Sequence, residues 1–514
     1  MLRQLALATL LLTAPVAEAD ALKNTEIKAV VDDALESFMT PGMAVGIVKD
    51  GKVVHLAGYG IKDMNSREAV TPDTLFRIAS TTKAFTSAAL AILVDEGKIT
   101  WDDKVIDHLP DFRMMDPWVT REFTIRDLLT HRSGLGAGAG DLMLWPEPSG
   151  FSRDEILHNL RHLKPVSSFR SDYAYDNLLY IVAGEIVPAV TGQSWEEFVQ
   201  TRILNPLQMG CYSGDAPMEA LGDVATPHSW LDGKQVTVPR NAITGKATVS
   251  AAAGGMVCNV RGMATWMLTQ LEGGVSPNGT RIFSEARRDE MWKSETLLGV
   301  GSLDRDWNNT HFRTYALAWR KADVLGYEVI SHTGTLSGMQ AYLSLVPELD
   351  LGIILLNNGS HYGARTAVMQ AILHGYLGGE KRDWVKTYAD WLAAREAAKA
   401  QKDERREGSG QMFLSLEVYA GTYKDTWFGK AEVALKGTEL RFASEKSAKL
   451  TGKLEPYEQN TFIIRWDDKL VGEDAFVRFE TDISGKVTGM TMHHMTSDFD
   501  FSFDIQDLNF IRAE

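Results

Sequence analysis

Ser80-Thr81-Thr82-Lys83 place a hydroxyl and an amine three positions apart at the start of a helical pattern. Residues i and i+3 lie on one face of a helix, so the two side chains can converge. The free amides and the positive dipole end of a first helical turn favour a serine alkoxide and a neutral amine. This spacing could therefore support attack by Ser80 on an acyl carbon, with Lys83 taking the hydroxyl proton.

Two further motifs follow in the order that such chemistry needs. Tyr175-Asp176-Asn177 is the single Tyr-x-Asn of the sequence, and His332-Thr333-Gly334 is the single His/Lys-Thr-Gly. On its own, Ser80 would more often be a helix N-cap than a nucleophile. The joint presence of all three motifs favours the nucleophile.

Composition narrows the class of protein. The chain has 514 residues, enough for two to four domains, with 44% hydrophobic and 24% charged residues, which is typical of a globular enzyme. Its formal net charge of −15 argues against nucleic acid or an anionic membrane as the main partner. We expect no metal, because His158 and His162, four apart on a predicted helix, lack the glutamate of a zinc-protease motif. We also expect no cofactor, because Gly136, Gly138 and Gly140 follow a predicted helix and lack the spacing of a dinucleotide-binding motif.

The first 19 residues resemble a secretory signal peptide. Arg3 supplies a positive charge, Leu5 to Leu12 form an apolar core, and Ala17-Glu18-Ala19 fits a cleavage site. The run is too short for a stable membrane span, although a buried N-terminal helix is an alternative. The pattern predicts export to a periplasm or the medium. In such a compartment Cys211 and Cys258 could pair, but two buried free thiols fit equally well.

Hydrophobic periodicity predicts an α+β fold. Asp50-Gly51 between two alternating runs predicts a hairpin. Two strands are expected to flank His332-Thr333-Gly334, with a helical part inserted between the sheet halves. The individual segments are a helix over 27–38, strands over 43–49 and 53–59, a helix over 123–130, a long cleft loop over 134–153, and strands over 328–331, 340–346 and 351–356.

The end of the chain has a different pattern. Residues 377–411 are expected to form a charged helical linker, with a solvated helix over 384–408. Residues 412–514 contain short β-type runs separated by turn signals, which predicts a small barrel or sandwich. The runs cover 431–435, 440–442, 461–465, 475–480 and 487–493.

Residues 25–376 resemble the serine hydrolases related to class C β-lactamases, DD-peptidases and penicillin-binding proteins. The resemblance is carried by the three motifs together with PGMAVGIVKDGKVV, TIRDLLTHRSGL, Gly254-Gly255 and SHTGTLSGM. It implies an antiparallel sheet backed by helices, a mostly helical second part and an active site in the cleft between them. It also implies a hydrolase domain over 20–376, and the tail over 412–514 resembles the lipocalin-like accessory domain of some peptidase-like members.

The same resemblance implies roles for the remaining motif residues. Tyr175 would face Ser80 and Lys83 and protonate the leaving group, provided that nearby cations favour its phenolate. Tyr173 competes for this role, but only Tyr175 has asparagine at the second following position. Asn177 would hold Lys83 and the carbonyl of the substrate.

The third motif lies on the predicted substrate side of the cleft. Thr333 would offer a hydroxyl, and Gly334 would let substrate lie close to the strand. The amides of Ser80 and Thr335 would form the oxyanion hole. His332 stands where β-lactamases and penicillin-binding proteins usually carry lysine, and a histidine is mostly neutral at pH 7. This substitution favours an esterase or aminopeptidase-like activity over β-lactam or D-Ala-D-Ala hydrolysis.

The sequence thus predicts an exported serine hydrolase with a Ser80 acyl-enzyme, acting as a peptidase or esterase on small acyl, D-amino-acid or peptide substrates. The alternative with the same mechanism is a β-lactamase or penicillin-binding DD-carboxypeptidase. The alternative of another class is a non-catalytic peptidoglycan- or peptide-binding protein. We expect the β-rich tail either to cover the cleft and limit substrate length or to promote a homo-oligomer.

Overall fold

The computed structural model of the protein describes residues 21–213, 221–239, 248–402, 408–496 and 499–513. The predicted signal peptide over 1–19 lies outside the described residues. Within these ranges, no helix is both long and apolar enough to cross a membrane.

One antiparallel sheet organises the N-terminal part. The strands of this part are β1 (Gly42–Lys49), β2 (Lys52–Gly60), β3 (Phe76–Arg77), β4 (His228–Leu231), β5 (Lys234–Thr237), β6 (Val257–Cys258), β7 (Thr296–Leu298), β8 (Arg313–Tyr315), β9 (Arg320–Val324), β10 (Tyr327–Leu336), β11 (Met339–Val346) and β12 (Leu351–Asn357). Eight of them form a sheet in the order β2-β1-β12-β11-β10-β9-β8-β7, while β3 pairs with β6 and β4 with β5.

The hairpin between β1 and β2 is confirmed. Asp50 and Gly51 adopt φ values of 52° and 70°, the conformation that a two-residue hairpin turn requires. On its other side β1 pairs with β12, for example Val45 with Leu355. The first strands therefore lie beside the last strand of the sheet, and the helical part is inserted between them, as predicted.

Helices cover both faces of the sheet. In chain order they are α1 (Asn24–Ser37), α2 (Lys83–Asp95), α3 (Val105–His108), α4 (Pro117–Glu122), α5 (Ile125–Leu128), α6 (Arg153–Asn159), α7 (Leu178–Thr191), α8 (Trp195–Val199), α9 (Ala251–Gly254), α10 (Val260–Leu271), α11 (Glu285–Trp292), α12 (Ser302–Asn308), α13 (Tyr362–Leu377), α14 (Trp384–Lys402) and α15 (Leu416–Tyr419). One face packs on α1 and α13, and the other contacts α10.

Two predicted elements differ from the structure. The helix expected over 123–130 is reduced to α5, because Thr124 caps its start and the chain turns at His131, whose φ is 53°. The helix expected to be solvated over 384–408 instead packs on α13 through its first turns. Trp384, Val385 and Tyr388 of α14 are buried beside α13, because aromatic and apolar residues recur on one face beneath the charged pattern.

The C-terminal part is a closed antiparallel barrel. Its strands are β13 (Gly421–Asp425), β14 (Gly429–Lys436), β15 (Glu439–Ser444), β16 (Thr451–Glu458), β17 (Thr461–Trp466), β18 (Ala475–Thr481), β19 (Val487–His494) and β20 (Asn509–Arg512). Alternate residues point inward, as in β17, and the interior is filled by rings that include Tyr423, Phe462 and Phe479. Because the barrel is closed, the backbone N–H and C=O groups that would be unpaired at the edges of an open sheet find partners in neighbouring strands.

Cys211 and Cys258 form a disulfide, which settles the choice that the sequence left open. Cys258 lies on β6 and pairs with Phe76 of β3. Because β3 leads directly to the turn that carries Ser80, the disulfide fastens the strand behind the predicted nucleophile.

Candidate active site

Ser80 lies in a tight turn that precedes a buried helix. A 3-10 turn over Ala79–Thr82 runs into α2, so the helical pattern predicted from Ser80 begins as a tighter helix. Ala79 has a φ of 48°, in the left-handed region that L-residues rarely adopt. Such strain is common where a structure holds a functional side chain in a fixed direction.

Lys83 is completely buried and directed at Ser80. Its Nζ donates to Asn177 Oδ1 at 2.7 Å and to the carbonyl of Ala253 at 2.9 Å, and it lies 3.3 Å from Ser80 Oγ. An ammonium has three donors, and these acceptors use all of them. A neutral amine can keep the two shorter bonds and turn its lone pair to Ser80. The site can therefore hold both protonation states without moving the side chain.

The surroundings of Lys83 permit the neutral state near pH 7. Burial lowers the pKa of Lys83 to about 7; the negative charge of Asp141 opposes this shift and the positive charge of Arg320 adds to it. A base is most effective when its pKa is close to the operating pH. Lys83 is thus suited to take the proton of Ser80.

Tyr175 faces the same pair from the other side. Its ring centre lies 4.9 Å from Lys83 Nζ. Burial raises the pKa of Tyr175 to about 12, and the Arg320 charge and a hydrogen bond with Ser80 only partly oppose this. The condition that nearby cations favour the phenolate is not met. The phenol of Tyr175 therefore keeps its proton at neutral pH and could donate it, which leaves Lys83 as the group suited to act as the base.

A buried polar chain fixes Asn177. Its Nδ2 donates to Asp141 Oδ2 at 2.7 Å, and the same oxygen accepts from the Ser502 hydroxyl at 2.7 Å. Sequence reasoning did not identify Asp141 or Ser502. They are 361 residues apart, and no local pattern connects a loop of the hydrolase part with the end of the barrel.

His332 is not brought to the cavity. The first of the two strands expected to flank its motif is longer than predicted, because β10 runs through the motif to Leu336, while the second is the separate strand β11. The His332 ring is 1% exposed, with Nε2 3.0 Å from the Tyr315 hydroxyl and Nδ1 2.7 Å from the Thr333 carbonyl oxygen. Burial lowers the pKa of His332 well below its usual value, so the ring is neutral.

The other residues of this motif do lie at the nucleophile. Thr333 and Thr335 line the same cavity as Ser80. A Cβ added to Gly334 would overlap the carbonyl oxygen of Ile78 and come within 3.1 Å of the Ser80 amide nitrogen. Glycine at this position therefore makes room for the nucleophile turn itself, which is a closer constraint than the approach of substrate expected from the sequence.

Arg320 supplies the cation that His332 does not. It begins β9, opposite Ser331 of β10, and its Nη1 lies 3.4 Å from Thr333 Oγ1. Within the described residues it has no ion pair with a carboxylate; its guanidinium lies over the rings of Tyr175 and Tyr315 at 5.6 and 5.9 Å. Arg320 could have been found only by predicting the strand over 320–324, and the sequence of that segment shows no clear alternation of apolar and polar residues.

A cavity of about 1030 Å³ lies between the sheet, the helical part and the barrel, and it is lined by Ser80, Tyr175, Asn177, Arg320, Thr333 and Thr335. The cleft loop contributes Trp145 and Glu147, and Glu147 pairs with Arg77 through two bonds of 2.8 and 3.0 Å. Aromatic rings make up much of the wall: Trp145, Tyr173, Tyr175, Trp230, Tyr362, Phe499, Phe501 and Phe503. The cavity is large enough for a peptide-sized or drug-sized ligand.

A serine and a half-neutral lysine at the base of such a cleft define the class of serine hydrolases that use lysine as the base. The sequence profile of the Beta-lactamase family matches residues 29–375, and that of a domain of unknown function, DUF3471, matches residues 405–512. The chain belongs to the Beta-lactamase family, and it is a serine hydrolase of this superfamily.

Individual proteins show the same relationship. The chain is 30% identical over 408 residues to a protein named Unguisins hydrolase ungD' from Aspergillus campestris, covering 74% of this chain and 71% of the relative. It is 30% identical over 356 residues to Penicillin-binding protein 4 of Amycolatopsis lactamdurans, covering 67% of this chain and 87% of the relative. The solved structure of the octameric penicillin-binding protein homologue from Pyrococcus abyssi superposes with a TM-score of 0.62 at 21% identity. The superposition covers 96% of this chain and 100% of the homologue.

Proposed function

We propose that the protein hydrolyses esters or amides through an acyl-enzyme on Ser80. Lys83 Nζ takes the Ser80 proton as the Oγ–carbon bond forms, and the amides of Ser80 and Thr335 hold the oxyanion. Tyr175 donates its proton to the departing amine or alcohol. Its phenolate then takes a proton from the water that attacks the acyl group, and Lys83 returns its proton to Ser80 Oγ as the acyl group leaves. The observation that carries this proposal is the 3.3 Å approach of a lysine whose pKa is about 7 to the Ser80 hydroxyl.

We propose peptide, D-aminoacyl or small acyl compounds as substrates. The aromatic walls and the cavity of about 1030 Å³ support a substrate larger than a simple acetyl ester. One relative is named as a hydrolase of unguisins, which supports hydrolysis as the reaction.

Arg320 favours a second candidate activity within the same mechanism. A fixed cation without a carboxylate partner among the described residues, beside Thr333 in the cavity, suits a substrate that carries a carboxylate near its scissile bond. β-Lactams and peptides ending in D-Ala-D-Ala have this feature. The argument against them from a neutral His332 is therefore weakened, because another residue carries the charge.

Export of the chain and its four-part division remain proposals. The disulfide between Cys211 and Cys258 supports an oxidising compartment, and the profile matches over 29–375 and 405–512 support the proposed hydrolase domain and accessory domain.

A homo-oligomer is also a proposal. It is supported by the octameric state of the penicillin-binding protein homologue from Pyrococcus abyssi and can be measured by light scattering.

Labelling by a fluorophosphonate, followed by intact mass, tests the proposal. We expect one adduct on the wild type and none on Ser80→Ala. Ser337→Ala is the matched control, because Ser337 lines the same cavity. Turnover of esters, D-aminoacyl amides, β-lactams and D-Ala-D-Ala peptides then separates the candidate activities. A folded wild type with no adduct and no turnover would favour the binding-protein alternative.

A further inference from the structure

One segment of the barrel enters the active-site cavity. Residues 499–504, here called the barrel strap, precede β20 and contribute Phe499 and Phe501 to the cavity wall. The Phe501 ring meets the Tyr175 ring edge-on, with centres 5.8 Å apart. Its carbonyl oxygen lies so close to Gly138 that a Cβ there would overlap it. The strap therefore lies directly against the loop that carries Asp141.

The strap also holds that loop by hydrogen bonds. The Asp504 carboxylate accepts the backbone amides of Gly140 at 2.6 Å and Leu142 at 3.0 Å, which flank Asp141 on both sides. All of these atoms are buried, and a hydrogen bond inside a protein is electrostatically stronger than the same bond in water. Asp504 thus fixes the backbone that presents Asp141.

Ser502 fixes the side chain of Asp141. Its hydroxyl donates to Oδ2 at 2.7 Å, the oxygen that also accepts from Asn177. The other oxygen, Oδ1, is buried and has no hydrogen-bond partner among the described residues. The two donors to Oδ2 therefore set the orientation of the carboxyl group. If Ser502 is removed, one of these two restraints is lost.

Asn177 transmits this orientation to the base. Its amide is held at one end by Asp141 and accepts from Lys83 Nζ at the other, each bond 2.7 Å long. Rotation of the amide would replace the acceptor facing Lys83 with a donor. The lone pair of Lys83 would then no longer be kept toward Ser80.

We propose that Ser502 is a positioning residue for Lys83, acting through Asp141 and Asn177, so that the barrel completes the catalytic network. The proposal rests on the function proposed for Ser80. A barrel that only covered the cleft would limit which substrates enter, so loss of the contact would widen substrate acceptance. The positioning role instead predicts slower chemistry when the contact is lost.

Two variants of equal shape test the proposal in the full-length protein. Ser502→Thr keeps the hydroxyl, and Ser502→Val replaces it with a methyl group. We expect Ser502→Val to lower kcat and the rate of fluorophosphonate labelling at Ser80 about tenfold, the effect of one lost hydrogen bond on a reaction rate. KM should stay within about twofold, and Ser502→Thr should restore the rates to within about threefold of wild type.

A control variant separates this effect from the general loss of a barrel hydrogen bond. Ser484 donates to Asp482 at 2.7 Å in an exposed turn of the barrel, so Ser484→Ala removes a bond of the same kind and length. If Ser502→Val does not fold, Ser502→Ala compared with Ser484→Ala gives the same test. Equal labelling rates for Ser502→Val and Ser502→Thr, or for the two alanine variants, would overturn the inference. A wild type that is never labelled would instead overturn the function proposed for Ser80.

Discussion

At the scale of single residues, the reactivity of the site depends on the charge of Lys83. Its neutral form is required to accept the Ser80 proton, and that form is lost as pH falls through its pKa of about 7. We expect kcat/KM to be constant at alkaline pH and to fall about tenfold per pH unit below about 7. A pH profile with an uncharged ester measures this directly.

Asp176 provides the matched variant for this profile. Its pKa is raised to about 7, chiefly by burial, and its negative charge raises the pKa of Lys83. The fall of kcat/KM at acidic pH that is measured for the wild type therefore reflects the titration of both groups. Asp176→Asn removes the negative charge, so this fall should begin at a lower pH. A rate that stays constant down to about pH 5 in the wild type would contradict the role of Lys83.

Arg320 governs a second prediction at this scale. Arg320→Gln should raise KM about tenfold or more for a substrate with a carboxylate beside the scissile bond, because a charge-assisted contact is lost. The methyl ester of the same compound should be much less affected. Arg313→Gln is the control, since Arg313 also lines the cavity but already pairs with Asp304 at 2.6 Å. Equal KM changes for acid and ester would contradict carboxylate binding.

The residues found from sequence and those that were missed differ in a physical way. Ser80 and Lys83 are three positions apart, so helical geometry alone brings them together. Arg320 reaches the site through the pairing of β9 with β10, and Asp504 through a contact 364 residues away in sequence. Long-range pairing of this kind leaves no periodic signal along the chain.

At the scale of elements, the close packing of β10 against the nucleophile turn sets the geometry of attack. Gly334→Ala would force the strand away from Ile78, because the added Cβ overlaps its carbonyl oxygen. We expect labelling of Ser80 to slow about 100-fold, as a displacement of about 1 Å can do.

Gly299→Ala is the control for this change. Gly299 lines the cavity, but a Cβ added there meets nothing within 4 Å. Labelling rates and circular dichroism spectra of both variants would be compared. A Gly334→Ala protein with wild-type reactivity would show that the strand can give way without moving Ser80.

Element boundaries were predicted well where turn chemistry is local and poorly where packing decides. The Asp50-Gly51 turn defines its hairpin through its own backbone preferences. The strands β13, β16 and β20 fall outside the β-type runs of the sequence; in β16, Pro456 interrupts the pattern where the pairing with β17 is irregular. The docked face of α14 was hidden by the charges on its other faces.

At the scale of the whole molecule, the barrel and the hydrolase part share one hydrophobic core. Buried residues from Phe85 and Trp266 to Tyr419 and Phe510 belong to a single cluster of contacts. The barrel is thus packed on the enzyme and is not suspended from a flexible tether. Apolar surface buried between the parts couples their stabilities.

This shared core predicts cooperative unfolding. Scanning calorimetry of the full chain should give one transition, and substitution of the buried Phe503→Ala should lower its midpoint without splitting it. The exposed Ile483→Ala in a barrel turn should leave the midpoint unchanged. Two separate transitions would show that the barrel and the hydrolase part unfold independently.

The long separation of Ser80 and Ser502 along the chain has a consequence for biosynthesis. A ribosome that adds about 5–20 residues per second needs roughly 20–80 seconds to proceed from Ser80 to Ser502. During that time the nascent chain already carries the nucleophile and its lysine, but not the hydroxyl bonded to Asp141. Full reactivity would be delayed until the ribosome has passed Ser502, so a chain that stops before this residue would be less reactive than one that includes it.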